Sequence, residues 1–152
     1  MTKKFNRYIF ILSLVGVIIA VYVLQSFLRQ SPIVCVNKGC ELVRKSLYSY
    51  PFGIPVPAFG LVGYSLLVIL TFLRTASENK KLLYPILAIS IFGILFVTWF
   101  TYTELFVIKA VCTWCAISAV NMYLIFYLTF NMYQMEFRKK WNSPENQKFL
   151  LL

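Results

Sequence analysis

Histidine and aspartate are absent from this chain of 152 residues, and its only acidic side chains are five glutamates. Without histidine there is no Ser-His-Asp or Cys-His nucleophilic site, no imidazole ligand for a metal or haem, and no imidazole switch near neutral pH. Charge is scarce as well: 13% of residues are charged, against 60% hydrophobic and 18% aromatic, and the mean hydropathy is +0.74. A soluble domain is about a quarter charged, so water could not wet the surface this composition would present. The chain reads as an integral membrane protein with room for one domain, 1–152, and none for a separate soluble catalytic module. What remains for covalent chemistry is four cysteines, Cys35, Cys40, Cys112 and Cys115.

The 15 Lys and Arg give a net charge of +10. They sit between and beyond the apolar runs, where lipid head groups and membrane topology account for them, and no nucleic-acid recognition motif accompanies them. The partner implied by the charge is therefore membrane lipid, with no nucleic acid. Four uncharged runs are long enough to cross a hydrocarbon core of about 30 Å as helices. They predict spans over 8–28, 57–73, 82–103 and 110–135. A cleaved signal peptide is the alternative for the first, but FLRQSPIVC offers no small-residue cleavage site. Pro51, Gly53, Pro55 and Pro57 delay the second span to Pro57, a residue suited to a first helical turn.

Ten basic residues fall on the side of the termini and the second loop, and five on the side of the first and third loops. The positive-inside rule then predicts a multi-pass protein with both termini cytoplasmic. All four cysteines approach the outer face, where disulfides form and persist. In the first loop, Leu42, Val43, Ser46, Leu47 and Tyr50 fall on one helical face of ELVRKSLYSY, predicting a short horizontal amphipathic helix over the bundle mouth with Ser46 pointing inward. A solvated loop is the alternative.

Cys112-Thr113-Trp114-Cys115 is a CxxC pair at a predicted helix start, where exposed N–H groups and the positive dipole end favour a thiolate. Cys35 and Cys40 form a second pair, with Gly39 permitting a turn that brings the sulfurs together and Lys38 nearby to favour thiolate. Two pairs converging on one membrane face predict a dithiol relay. A pair of structural disulfides and a four-cysteine zinc site are the competing readings, although thiolate zinc belongs mainly to reducing compartments. A relay must discharge two electrons, and quinone is the lipid-soluble acceptor of electron pairs. Tyr48, Tyr50, Phe52, Phe59, Tyr64, Phe106 and Trp114 near the mouth could flank its ring, or serve as interfacial belt residues.

These residues resemble the vitamin K epoxide reductase family in its bacterial, stand-alone form. The resemblance rests on the paired-cysteine first loop, Ser46 six residues after Cys40, FGIPVPAFGLVGY at the second span, and VCTWCAIS at the fourth. It implies an all-α, four-transmembrane-helix bundle around a quinone, menaquinone or ubiquinone, capped by a horizontal helix. It also implies that Cys35 exchanges with a thioredoxin-like (DsbA-like) partner, that Cys40 passes electrons to Cys112, and that Cys115 faces the quinone. Ser46 would hold the cap helix or hydrogen-bond near the quinone, with Phe59, Tyr64 and Trp114 in the pocket. Bacterial members of the family generally reduce quinone and supply disulfides to exported proteins from the cell membrane. A relay carrying reductant outward is the opposite direction of the same chemistry. The chain departs from the vertebrate enzymes in the closer spacing of its first cysteine pair, in Val56 where they place an asparagine, and in Ala119 near their pocket tyrosine. Many bacterial relatives carry a fused thioredoxin-like domain, whereas here about 16 residues follow span four, so the expected partner is a separate protein.

Overall fold

A computed structural model describes residues 2–36, 38–77 and 79–141. Among them there is no strand, and four helices cross the membrane: α1 (Thr2–Arg29), α3 (Val56–Ser77), α4 (Leu83–Tyr102, extended by a wider π-turn over Thr103–Ile108) and α5 (Thr113–Trp141). A seven-residue helix, α2 (Gly39–Lys45), lies in the first connection. All four spans run past the uncharged stretches that predict them, the third through Glu104 in its π-turn. Lys3, Lys4 and Arg7 lie within α1, Arg74 within α3, and Arg138, Lys139 and Lys140 end α5. Long basic side chains can reach the interface while their backbone stays helical, so a charge marks the edge of the hydrocarbon rather than the end of the helix.

α1 packs against α3 and α5, and α4 packs against α5. Gly16 makes the first of these contacts possible, because the ring of Tyr64 lies where a Cβ at that position would be. Away from the loops the core is apolar, with Ile9, Leu67, Ile86, Ile125 and Met132 fully buried. At the end that carries the chain termini, polar contacts join the helices. Asn6 donates to the Thr71 carbonyl at 2.9 Å, and Arg74 pairs with Glu136 at 2.6 Å. The hydrophobic effect does not hold helices together in lipid, and interhelical hydrogen bonds of this kind contribute about 0.6 kcal/mol each.

The first connection differs from the single amphipathic helix predicted over residues 41–50. α2 stops at Lys45, because Ser46 is extended (φ −72°, ψ 136°) and its hydroxyl accepts from the Tyr48 N–H to start a 3-10 turn over Leu47–Ser49. The predicted face is therefore broken. Leu47 is 90% exposed, Ser46 is half-buried rather than turned into the apolar interior, and the fully buried serine is Ser49, which donates to the Val43 carbonyl. Arg44, which lies off the predicted face, is buried and donates to the carbonyls of Ser26 and Ser31. Those carbonyls lie at and just beyond the end of α1, where the helix leaves acceptors unpaired, so a buried guanidinium outweighs helical periodicity in placing α2.

Candidate active site

The end of the bundle that carries α2 has its own apolar cluster, in which Cys40 and Cys112 pack among Val23, Phe27, Val43, Val56 and Phe100. Cys35 and Cys40 are joined by a disulfide, and Cys112 and Cys115 are free thiols. The sulfur of Cys112 lies 3.2 Å from that of Cys40, although the two residues are 72 positions apart. Both cysteines are 1% exposed, while Cys35 is half-buried and so the more accessible member of the disulfide.

Gly39 sets this approach. The turn inferred from its sequence context is not what requires it, since Gly39 opens α2. Its Cα instead lies so close to Val111 that a Cβ would overlap the Val111 carbonyl oxygen. A glycine next to Cys40, against the residue preceding Cys112, thus lets the two backbones come near enough for the sulfurs to meet. A second tie is the Trp114 indole, which donates to the Val34 carbonyl at 2.8 Å, beside Cys35.

Cys112 immediately precedes the first residue of α5, and its thiol ionises at about 7, well below the ordinary thiol value. A hydrogen bond from the Cys115 thiol is the largest cause, with the backbone N–H groups of Cys115 and Trp114 adding to it against the opposing effect of burial. Since the folded value is lowered, the thiolate persists down to about pH 7 and is lost below it. An ultraviolet thiolate titration of the dithiol form should therefore show its first step near pH 7, and Cys115→Ala should move the Cys112 step upward toward the ordinary range.

A cavity of about 120 Å³ lies between the four spans beneath the cysteines. Its walls are almost wholly apolar and include Phe59, Phe92, Phe96 and Phe100, together with Trp114, Tyr64 and Cys115. The Tyr64 hydroxyl donates to the Ser118 carbonyl at 2.9 Å. Of the residues singled out in the sequence, Phe59, Tyr64, Trp114 and Cys115 share this cavity. Cys35, Cys40 and Cys112 form a separate cluster whose sulfurs all lie within 4.8 Å of one another. Ser46 is in neither group and serves the turn after α2. Cys115 does not join the three-sulfur cluster, and two of those three sulfurs are bonded to each other, so no four-thiolate metal cage is assembled among the described residues. An oily, ring-lined space with a few polar atoms and a thiol in its wall suits a flat, lipid-soluble molecule such as a quinone.

Glu104, the first charged residue after the predicted span 82–103, is not among the site candidates that the sequence offers. It lies in the π-turn, 1% exposed, and its carboxyl faces the Cys112 N–H and the Cys115 thiol. The available signal was an acidic residue at the cysteine end of an apolar span, eight positions before the CxxC pair.

Two cysteine pairs in sulfur contact, one oxidised and one reduced, are an arrangement for thiol–disulfide exchange, which passes two electrons through a mixed disulfide. No curated protein sequence matches the chain. The model of the vitamin K epoxide reductase family matches residues 7–130, a stretch containing all four cysteines and Glu104. With most of its length matched and its cysteines so arranged, the chain belongs to the vitamin K epoxide reductase family.

Proposed function

We propose that this protein is a stand-alone thiol:quinone oxidoreductase of a bacterial cell membrane, with both termini cytoplasmic and the cysteines at the outer face. A separate thioredoxin-like protein delivers a dithiol to the Cys35–Cys40 disulfide, entering at Cys35. Cys40, once reduced, attacks the Cys112–Cys115 disulfide at Cys112. Cys115 leaves as a thiol, and Cys35 then closes on Cys40 to restore the outer disulfide. The inner dithiol is left with the two electrons and two protons that came from the partner. Menaquinone or ubiquinone, when bound, accepts both pairs and leaves as quinol. Cys115, Tyr64, Phe59 and Trp114 flank its ring, and α2 with the turn after it lies along the interface, where exposed Leu47 and Phe52 meet lipid. The net effect is disulfide formation in exported proteins.

The observation that carries this reading is the 3.2 Å separation of Cys40 and Cys112, with Cys115 on the wall of an apolar cavity. Protein purified anaerobically and given a reduced thioredoxin-like partner with a soluble quinone analogue should turn over, one quinol appearing per partner disulfide. Stoichiometric zinc and no quinone reduction with any partner would instead identify a metal-binding protein.

A further inference from the structure

Among the described residues Glu104 is the buried acidic side chain that faces the inner cysteine pair, and nothing in the exchange of disulfides requires it. It is 1% exposed, and its Oε1 has no hydrogen-bond partner. The ion pairs among the described residues join Arg44 to Glu41 and Arg74 to Glu136, and neither reaches it. The titratable groups that face it are the thiols of Cys112 and Cys115. A carboxyl buried without a cation is a costly way to fill space, and an amide or an apolar side chain would serve packing better. Its backbone is unusual too: the Glu104 carbonyl accepts the N–H groups of both Lys109, in a left-handed conformation, and Ala110, which closes the π-turn that aims the side chain at the start of α5. Such π-turns are frequent at functional sites.

From this placement we infer that Glu104 is the proton carrier of the inner cysteine pair, taking the thiol proton of Cys115 as the Cys112–Cys115 bond closes and passing it on toward the quinol, and relaying a partner-derived proton to Cys115 when that bond is next opened. The inference rests on the relay proposed above. Closing the bond oxidises two thiols and releases two electrons and two protons. The quinone takes the electrons, and both protons follow to complete the quinol. Glu104 holds one proton in transit and ends the cycle as it began. Among the described residues that face Cys115, the Glu104 carboxylate supplies the base of suitable strength, and the chain has no histidine or aspartate to take that role.

The test uses the whole protein in detergent. Infrared difference spectra are recorded between the dithiol and the disulfide formed by diamide, so the readout does not depend on quinone. A carboxyl band that changes on closure and vanishes in Glu104→Gln is expected. In parallel, single-turnover oxidation by a quinone analogue should slow about 100-fold in Glu104→Gln, and Glu104→Asp should recover part of that rate and the original pH profile. A wild-type spectrum without a carboxyl change overturns the inference even if no variant folds, and so does a Glu104→Gln rate within twofold of wild type. If diamide elicits the band but no quinone is reduced, the quinone reading fails and the proton carrier stands.

Discussion

Replacing Cys115 by serine should abolish quinone reduction, to below about a thousandth of the wild-type rate, and leave Cys40 bonded to Cys112 in the isolated protein. Cys112 is already in contact with Cys40, so it can open the Cys35–Cys40 disulfide and form the mixed bond. The thiol that would resolve that bond toward the cavity is then gone. The four spans carry their own core, so the variant should remain folded. Mass spectrometry of the alkylated, digested protein identifies the linkage. Because the Cys35 sulfur also lies within 4.8 Å of Cys112, a Cys35–Cys112 bond is physically open to the molecule, and its accumulation would reverse the order assigned to the outer pair.

Gly39→Ala should separate the two halves of the relay while leaving each intact. The added methyl overlaps the Val111 carbonyl, a backbone atom that cannot rotate away, so α2 must move by about 1 Å. A displacement of that size costs about 100-fold in a reaction that depends on near-contact of two atoms. Electron transfer from the partner to quinone should fall by that factor. Direct reduction of the Cys112–Cys115 pair by dithiothreitol, followed by its oxidation with a quinone analogue, should proceed at the wild-type rate. A Gly39→Ala protein that turns over normally with its partner would show that the close approach is not needed.

The four spans were legible because hydrocarbon thickness fixes the length of an apolar run, and the two cysteine pairs because a chain without histidine or aspartate offers few other groups for covalent chemistry. The helix ends were less so. Arg138, Lys139 and Lys140 mark the edge of the hydrocarbon, yet α5 continues through them. The first loop was misjudged for a related reason: its periodicity was real, but Arg44 found the acceptors at the end of α1, an interaction between distant segments that no local pattern encodes. The meeting of Cys40 with Cys112 is likewise non-local. Gly39 and Glu104 were visible as letters, and their roles became readable only against Val111 and Cys115.

One side chain spans the whole arrangement. The Trp114 indole lines the cavity, packs on Tyr22 with ring centroids 5.0 Å apart, and holds the Val34 carbonyl next to Cys35. A ligand that shifts the indole changes the free energy of the loop carrying Cys35. Thermodynamic linkage makes the converse obligatory: a protein that pulls on that loop changes the affinity of the cavity by the same factor. The two substrates proposed for the relay would thereby be coupled in equilibrium before any electron moves.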